Sequence, residues 1–198
     1  FEAQITNQHK KKKTFNVVAD IIDNDGKIVT SMSAKHSLAP GSTETIKLKG
    51  KVENPKRWYP RHPYMYSVVT KIMDGNKVID GYETPLGIRD FEFSKDTGFW
   101  INGENTKLHG WGQKPTHAWP GLGAALPDWL RDYTFQLMEE AGGNFIRWGH
   151  SAGSPSEADM ADKYGFVTLM PGVSGESEDT GKTWDIRYKG FKDTIVYF

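Results

Sequence analysis

Apolar positions along this chain change their period once. From Phe1 to about Phe93 they come in short alternating runs cut by turn residues, which is how half-buried strands read. The run TFNVVADIID (Thr14–Asp23) ends in Asn24-Asp25-Gly26, a strong tight-turn signal, and KIVTSMSAKHSL follows it. Pro40-Gly41 turns the chain into TETIKLKGKV, which places Ile46, Leu48 and, past a bulge, Val52 on one face. MYSVVTKIM, the turn Asp74-Gly75-Asn76 and KVIDGYETPLGIRDFEF complete the series. About seven short strands without a helical period predict a two-sheet sandwich of immunoglobulin-like size over residues 1–93.

From residue 94 to residue 198 the pattern becomes mixed. Phe99–Gln113 predicts a strand and Pro115–Asp128 an aromatic-rich loop. Residues 129–143 then carry Leu130, Tyr133 (or Thr134), Leu137, Met138 and Ala141 at helical steps. Pro127 and Asp128 suit the start of that helix, the carboxylate satisfying free N–H groups, and Gly142-Gly143 its end. Asn144–Trp148 reads as a buried parallel strand. A second helix is predicted from Pro155 to Tyr164 with Gly165 as its stop, and a third strand over Phe166–Met170. Strands joined by helices predict a parallel sheet, with ligand sites just after the strands.

Charge changes this picture little. The 198 residues hold 25 basic and 25 acidic side chains, a balance that argues against a general nucleic-acid or anionic-membrane binder. The run Lys10–Lys13 reads as a solvated loop between strands, since nothing aromatic interrupts it. Without cysteine there is no disulfide and no thiolate metal site. The chain starts and stops inside apolar patterns, so both ends read as cuts. A three-stranded parallel sheet with an open edge and an uncovered apolar face predicts either self-association, as a homo-oligomer, or marginal stability.

Several stretches together carry a resemblance. NPKRWYPRHPYMYSV (Asn54–Val68) resembles the asparagine-proline, tryptophan and proline-tyrosine-x-tyrosine signature of glycoside hydrolase family 2, which includes β-galactosidases and β-glucuronidases. GIRDFEF (Gly87–Phe93) is similar to the strand by which that family leaves its sandwich, and FWINGENTKLHG (Phe99–Gly110) to its entry into the catalytic barrel. LMEEAGGNFIRWGH and DKYGFVTLM resemble the next helix, the second strand and the third strand. The resemblance implies an immunoglobulin-like sandwich followed by the first three βα units of a (β/α)8 barrel. It further implies a piece of a retaining, exo-acting, β-galactosidase-like glycosidase acting on terminal β-linked sugars, in a periplasmic or secreted setting. It implies no cofactor, with room for a divalent cation or sodium in the full-length enzyme.

Glycoside hydrolysis needs two carboxylates flanking the bond. Here Glu176, Glu178 and Asp179 share one loop, Asp128, Asp132, Glu139 and Glu140 fall on one helix and Glu157, Asp159 and Asp162 on the next, so spacing places no pair on two different strand ends. The resemblance places the acid/base and nucleophile glutamates after the fourth and seventh strands, so no catalytic residue is assigned to this chain. It does imply part of a sugar pocket. His150 matches a histidine that binds a sugar hydroxyl, and Arg147 matches an arginine that steadies the nucleophile carboxylate, against the alternative of a supporting salt bridge. Trp111, Trp119 and Trp148 are candidates for stacking on sugar rings, with core packing the alternative for each. Gln113 follows the same strand as Trp111, and His117 lies in the loop beyond it. Glu176 falls where some members hold a metal ligand.

Three departures stand out. Gly112-Gln113-Lys114 replaces asparagine-arginine-histidine, Pro171-Gly172 replaces an acidic pair, and His150-Ser151-Ala152 replaces histidine-tyrosine-proline. They point away from strict β-galactosidase specificity and toward an unusual or branched substrate, such as a plant or algal polysaccharide unit. The competing reading is a non-catalytic sandwich module for carbohydrate or protein binding with a degenerate α/β appendage.

Overall fold

The computed structural model describes residues 1–114, 119–123, 125–149 and 153–171. The chain divides into two compact units: Phe1–Lys56 with Met65–Ile88, and Arg57–Tyr64 with the chain from Arg89 onward.

The first unit is a sandwich of six strands, β1 (Glu2–Thr6), β2 (Lys13–Ile22), β3 (Ile28–Leu38), β4 (Thr43–Lys47), β5 (Met65–Asp74) and β6 (Lys77–Gly87). β1 and β4 form one antiparallel sheet and the others a second, in the order β3-β2-β5-β6. Alternation in β2 sends Phe15, Val17, Ala19 and Ile21 into the core, where Leu38, Ile46, Leu48, Tyr66 and Val68 join them. The strand count is six and not about seven, because Phe91–Ser94 pairs elsewhere. The Lys10–Lys13 loop joins β1 to β2, its first three lysines exposed, and the Asn7 side chain holds its backbone by donating to Lys11 O and Leu38 O, each at 3.0 Å.

The second unit opens with an antiparallel sheet of β7 (Phe91–Ser94), β8 (Gly98–Ile101) and β9 (Glu104–Asn105). The stretch expected as one strand is thus broken by Asn102-Gly103, with φ of 50° and 84°, the pair that a tight hairpin turn favours. β10 (Gly110–Gln113), β11 (Phe145–Trp148) and β12 (Val167–Leu169) then form a parallel sheet in that order, alternating with α1 (Asp128–Glu140) and α2 (Pro155–Tyr164). The predicted βαβ order holds.

α2 starts at a reciprocal capping box: Ser154 N donates to Glu157 Oε2 at 2.6 Å, and Glu157 N donates to Ser154 Oγ at 3.3 Å. It stops at Gly165 (φ 77°), where a Cβ would also lie 2.6 Å from the Arg61 backbone nitrogen, so a side chain there is excluded twice over. α1 corrects two expectations. Asp128 makes no cap and pairs instead with Arg131 at 3.0 Å. The buried stripe is Leu130, Phe135 and Met138, whereas Tyr133 and Leu137 are each 45% exposed. Phe135 is the centre of the core between helices and sheet, touching Trp148, Tyr164 and Phe166.

Asp132 ties the two helices. It accepts from Lys163 Nζ at 2.9 Å, Tyr164 Oη at 3.0 Å and Gln136 Nε2 at 2.8 Å. The Lys163 hydrogen bond, helped by those of Tyr164 and Gln136 and by the lysine charge, outweighs desolvation and lowers the Asp132 carboxyl below its usual range. A depressed folded pKa gives stability that is present above the unfolded pKa and lost as pH falls through the folded one. Acidification below about pH 4 should therefore remove a small increment, about 0.2–1 kcal/mol for so exposed a pair. Asp132→Asn should flatten that limb when denaturation midpoints are followed against pH; an unchanged acid limb would contradict the assignment.

Candidate functional site

Two ends of the parallel sheet must be distinguished. The N-terminal end is closed by the segment Arg57–Tyr64. Trp58, 1% exposed, donates from Nε1 to the Asp162 carbonyl at 2.7 Å. The Arg89 guanidinium lies 4.5 Å above its indole ring and reaches Asp162 Oδ1 at 3.1 Å. Burial raises the Asp162 carboxyl above its ordinary range, although the Arg89 charge pulls the other way. Asn102 donates from Nδ2 to Trp58 O at 2.9 Å and accepts from Asp90 N at 3.0 Å. Arg61 donates to the Gly142 carbonyl and meets His109 Nε2 at 3.2 Å.

Asn144 completes this end. It is 4% exposed, accepts from His109 N at 2.9 Å and donates to Lys107 O at 3.0 Å, while its carbonyl accepts from Val167 N at 2.9 Å. One side chain and its backbone thus align the starts of all three parallel strands. A cavity of about 450 Å³, lined by Tyr59, Arg61, His62, Glu104, His109 and Asn144, opens here. It lies away from the C-terminal strand ends where α/β proteins hold ligands.

At the C-terminal end, register and alternation sort the candidate residues onto two faces. Gly110, Gly112, Phe145, Arg147, Val167 and Leu169 share one face, by the pairs Gly110–Phe145, Gly112–Arg147 and Arg147–Leu169. Trp111, Gln113, Ile146, Trp148 and Thr168 share the other, which packs on the helices. Trp148 is 3% exposed with its ring 6.2 Å from that of Phe135, a core position. Trp111 is 42% exposed and its ring lies so close to Gly143 that a Cβ there would meet it at 2.3 Å. Gln113 is half-buried at the strand end. Trp119 is 42% exposed in a turn where Leu122 N donates to its carbonyl.

Arg147 stands apart, exposed on the helix-free face, and no carboxylate partner for it is found among the described residues. His150, His117 and Glu176 lie outside the described residues. Among the described residues no cluster of metal-ligating side chains is found, and no helix is long and apolar enough to cross a membrane. A groove of about 870 Å³ in the sandwich unit is lined by β1 and by the β5–β6 half of the larger sheet, where Tyr82 is 75% exposed. Nothing in the sequence had marked the Trp58–Arg89–Asp162 cluster as structural, although Trp58 belongs to the signature quoted for Asn54–Val68.

Comparison with known proteins agrees with this geometry. Residues 1–89 match the model for glycosyl hydrolases family 2, and residues 93–182 match the family 2 TIM barrel domain. The chain is 64% identical over 197 residues to a β-glucuronidase of Formosa agariphila, covering 100% of this chain and 20% of that protein. It is 33% identical over 183 residues to a β-galactosidase of Thermoanaerobacter pseudethanolicus, covering 87% of this chain and 24% of that protein. A solved structure of a β-glucuronidase from glycoside hydrolase family 2 superposes with a TM-score of 0.91 at 63% identity, covering 100% of this chain and 21% of that one. The chain therefore spans about a fifth to a quarter of the length of these relatives.

Proposed function

Because this chain belongs to glycoside hydrolase family 2, we propose that it forms the sandwich and the opening of the barrel in a retaining exo-β-glycosidase whose terminal sugar is a β-glucuronide. The supporting observation is the 64% identity, along all of this chain, to a protein named β-glucuronidase. This refines the β-galactosidase-like reading of the sequence, in line with the departure at Gly112-Gln113-Lys114.

In this reading the glutamates that act as acid/base and nucleophile come from later barrel strands, and hydrolysis runs through a covalent glycosyl intermediate. The present chain contributes Arg147, whose guanidinium on the helix-free face steadies the nucleophile carboxylate. His150 and His117 add sugar hydroxyl contacts, whereas Trp111 and Gln113 sit on the helix-facing side of the first parallel strand and support it from behind. Trp148 braces the second strand from behind. A polyanionic or branched plant or algal polysaccharide would present such a terminal sugar. The test is hydrolysis of 4-nitrophenyl β-D-glucuronide and β-D-galactoside by the full-length protein. A kcat/KM for the glucuronide at least about tenfold higher, equivalent to about 1.4 kcal/mol, is expected. Preference for the galactoside would overturn the choice of sugar, and hydrolysis of neither would return the binding-module reading.

A further inference from the structure

The loop that joins β1 to β2 carries four consecutive lysines, Lys10–Lys13, the first three of them exposed. Because the chain as a whole is neutral, these four positive charges leave the rest of it with four net negative ones. Adjacent ammonium groups repel, and a nearby acid relieves the repulsion. Elsewhere in the sandwich unit lysines have such acids: Lys47 meets Glu2 at 2.6 Å, Lys51 meets Glu53 at 3.0 Å and Lys71 meets Asp20 at 2.9 Å. Among the described residues no carboxylate is paired with Lys10, Lys11, Lys12 or Lys13. Glu44, just past the β3–β4 turn, is held by His36 at 2.7 Å.

The backbone under these charges is nonetheless fixed. Asn7, 5% exposed, donates from Nδ2 to Lys11 O and Leu38 O at 3.0 Å each, and its Oδ1 accepts from His9 N at 3.0 Å. Its own carbonyl accepts from Gly41 N at 2.8 Å, which ties the loop to the β3–β4 turn. A loop shaped in advance loses little freedom when an anion binds it. No aromatic or apolar side chain stands among Gln8–Lys13, so the loop offers neither a platform for stacked bases nor a wedge for a lipid surface. Hydrated ammonium groups on flexible stems suit anions that repeat along a polymer and demand no fixed geometry. We propose that the Lys10–Lys13 loop is a secondary binding site for the carboxylates of a polyuronic polysaccharide, and that it keeps the enzyme on the polymer whose terminal sugar is removed. Each ion pair is weak, but several on one loop raise the local concentration of chain ends. The choice of polymer rests on the β-glucuronide reading above; the site itself does not.

The test is calorimetric titration of the full-length enzyme with polyglucuronic acid at low and at physiological salt. Changing the three exposed residues together, Lys10→Ser, Lys11→Ser and Lys12→Ser, should weaken binding at low salt roughly 5- to 50-fold, as the loss of three exposed ion pairs would. The wild type should bind less tightly as salt rises, and the triple variant should respond less steeply. Turnover of 4-nitrophenyl β-D-glucuronide should stay as it was, since the changed side chains touch nothing that folds the unit. Unchanged affinity for the polymer overturns the inference, and so does an equal loss on a neutral polysaccharide, which would show that charge is not what the loop reads. Tighter binding of duplex DNA or of phosphatidylserine vesicles than of polyglucuronic acid would assign the loop to another class of macromolecule and overturn it too. A full-length enzyme that binds the polymer through these lysines but hydrolyses no glucuronide would support the site and defeat the substrate reading instead.

Discussion

Trp58→Ala is expected to destabilise the full-length protein by about 3–5 kcal/mol, the cost of removing a large buried aromatic side chain. Trp58 is 1% exposed, its Nε1–H holds the Asp162 carbonyl at 2.7 Å, and its ring carries the Arg89 guanidinium at 4.5 Å. Truncation opens a cavity, leaves a partly buried carbonyl without its donor and removes the surface that orients Arg89 toward Asp162. With the guanidinium loosened, the half-buried Asp162 carboxyl loses its counter-charge in a place that already disfavours ionisation. Trp58→Phe keeps most of the volume and should cost only about 1–3 kcal/mol, mostly the lost hydrogen bond. Urea denaturation followed by circular dichroism distinguishes the two. A loss below about 1 kcal/mol for the alanine variant would mean that this end of the sheet is held by something else.

Arg147→Ala should lower kcat of the full-length enzyme by roughly 100-fold, in the range found when one preorganised electrostatic contact at a reacting centre is removed. Two further readouts separate this from a structural role. Without the guanidinium the nucleophile carboxylate ionises less readily, so the acidic limb of the kcat/KM profile should move to higher pH. Lysine should rescue little, since it cannot reproduce a two-pronged guanidinium contact. If the variant instead melts earlier while its folded fraction keeps full kcat, Arg147 is a strut of the barrel and not a positioning residue.

Much of the architecture was legible because its signals are local. Pro155 and Gly165 bound α2 in the sequence as they do in the structure, and hairpin glycines mark the sandwich turns. The face of α1 was not legible. Leu130-Tyr133-Leu137 and Leu130-Thr134-Met138 satisfy helical spacing equally well, and which set turns inward depends on where the sheet lies. The aromatic Phe135 decides the matter by filling the space between Trp148 and Phe166. The site was harder still. Residue type picks out tryptophans, but a shift of one residue exchanges the faces of a strand, and no residue type reveals that parity. It sets Trp111, Gln113 and Trp148 toward the helices and Arg147 away from them. The role of Trp58 was hidden for another reason: its partner Asp162 lies 104 residues further along, beyond the reach of any local pattern.

Because the eight residues Arg57–Tyr64 are drawn out of the sandwich sequence to close the end of the parallel sheet, the two units are not exchangeable parts. Grafting another sandwich in front of Arg89 would remove the peg that holds β10, β11 and α2, and transplanting this sandwich would carry an orphaned peg into a barrel without its socket. A chimera that moves Trp58 and Asp162 together is therefore expected to keep its stability, and one whose crossover separates them to lose it.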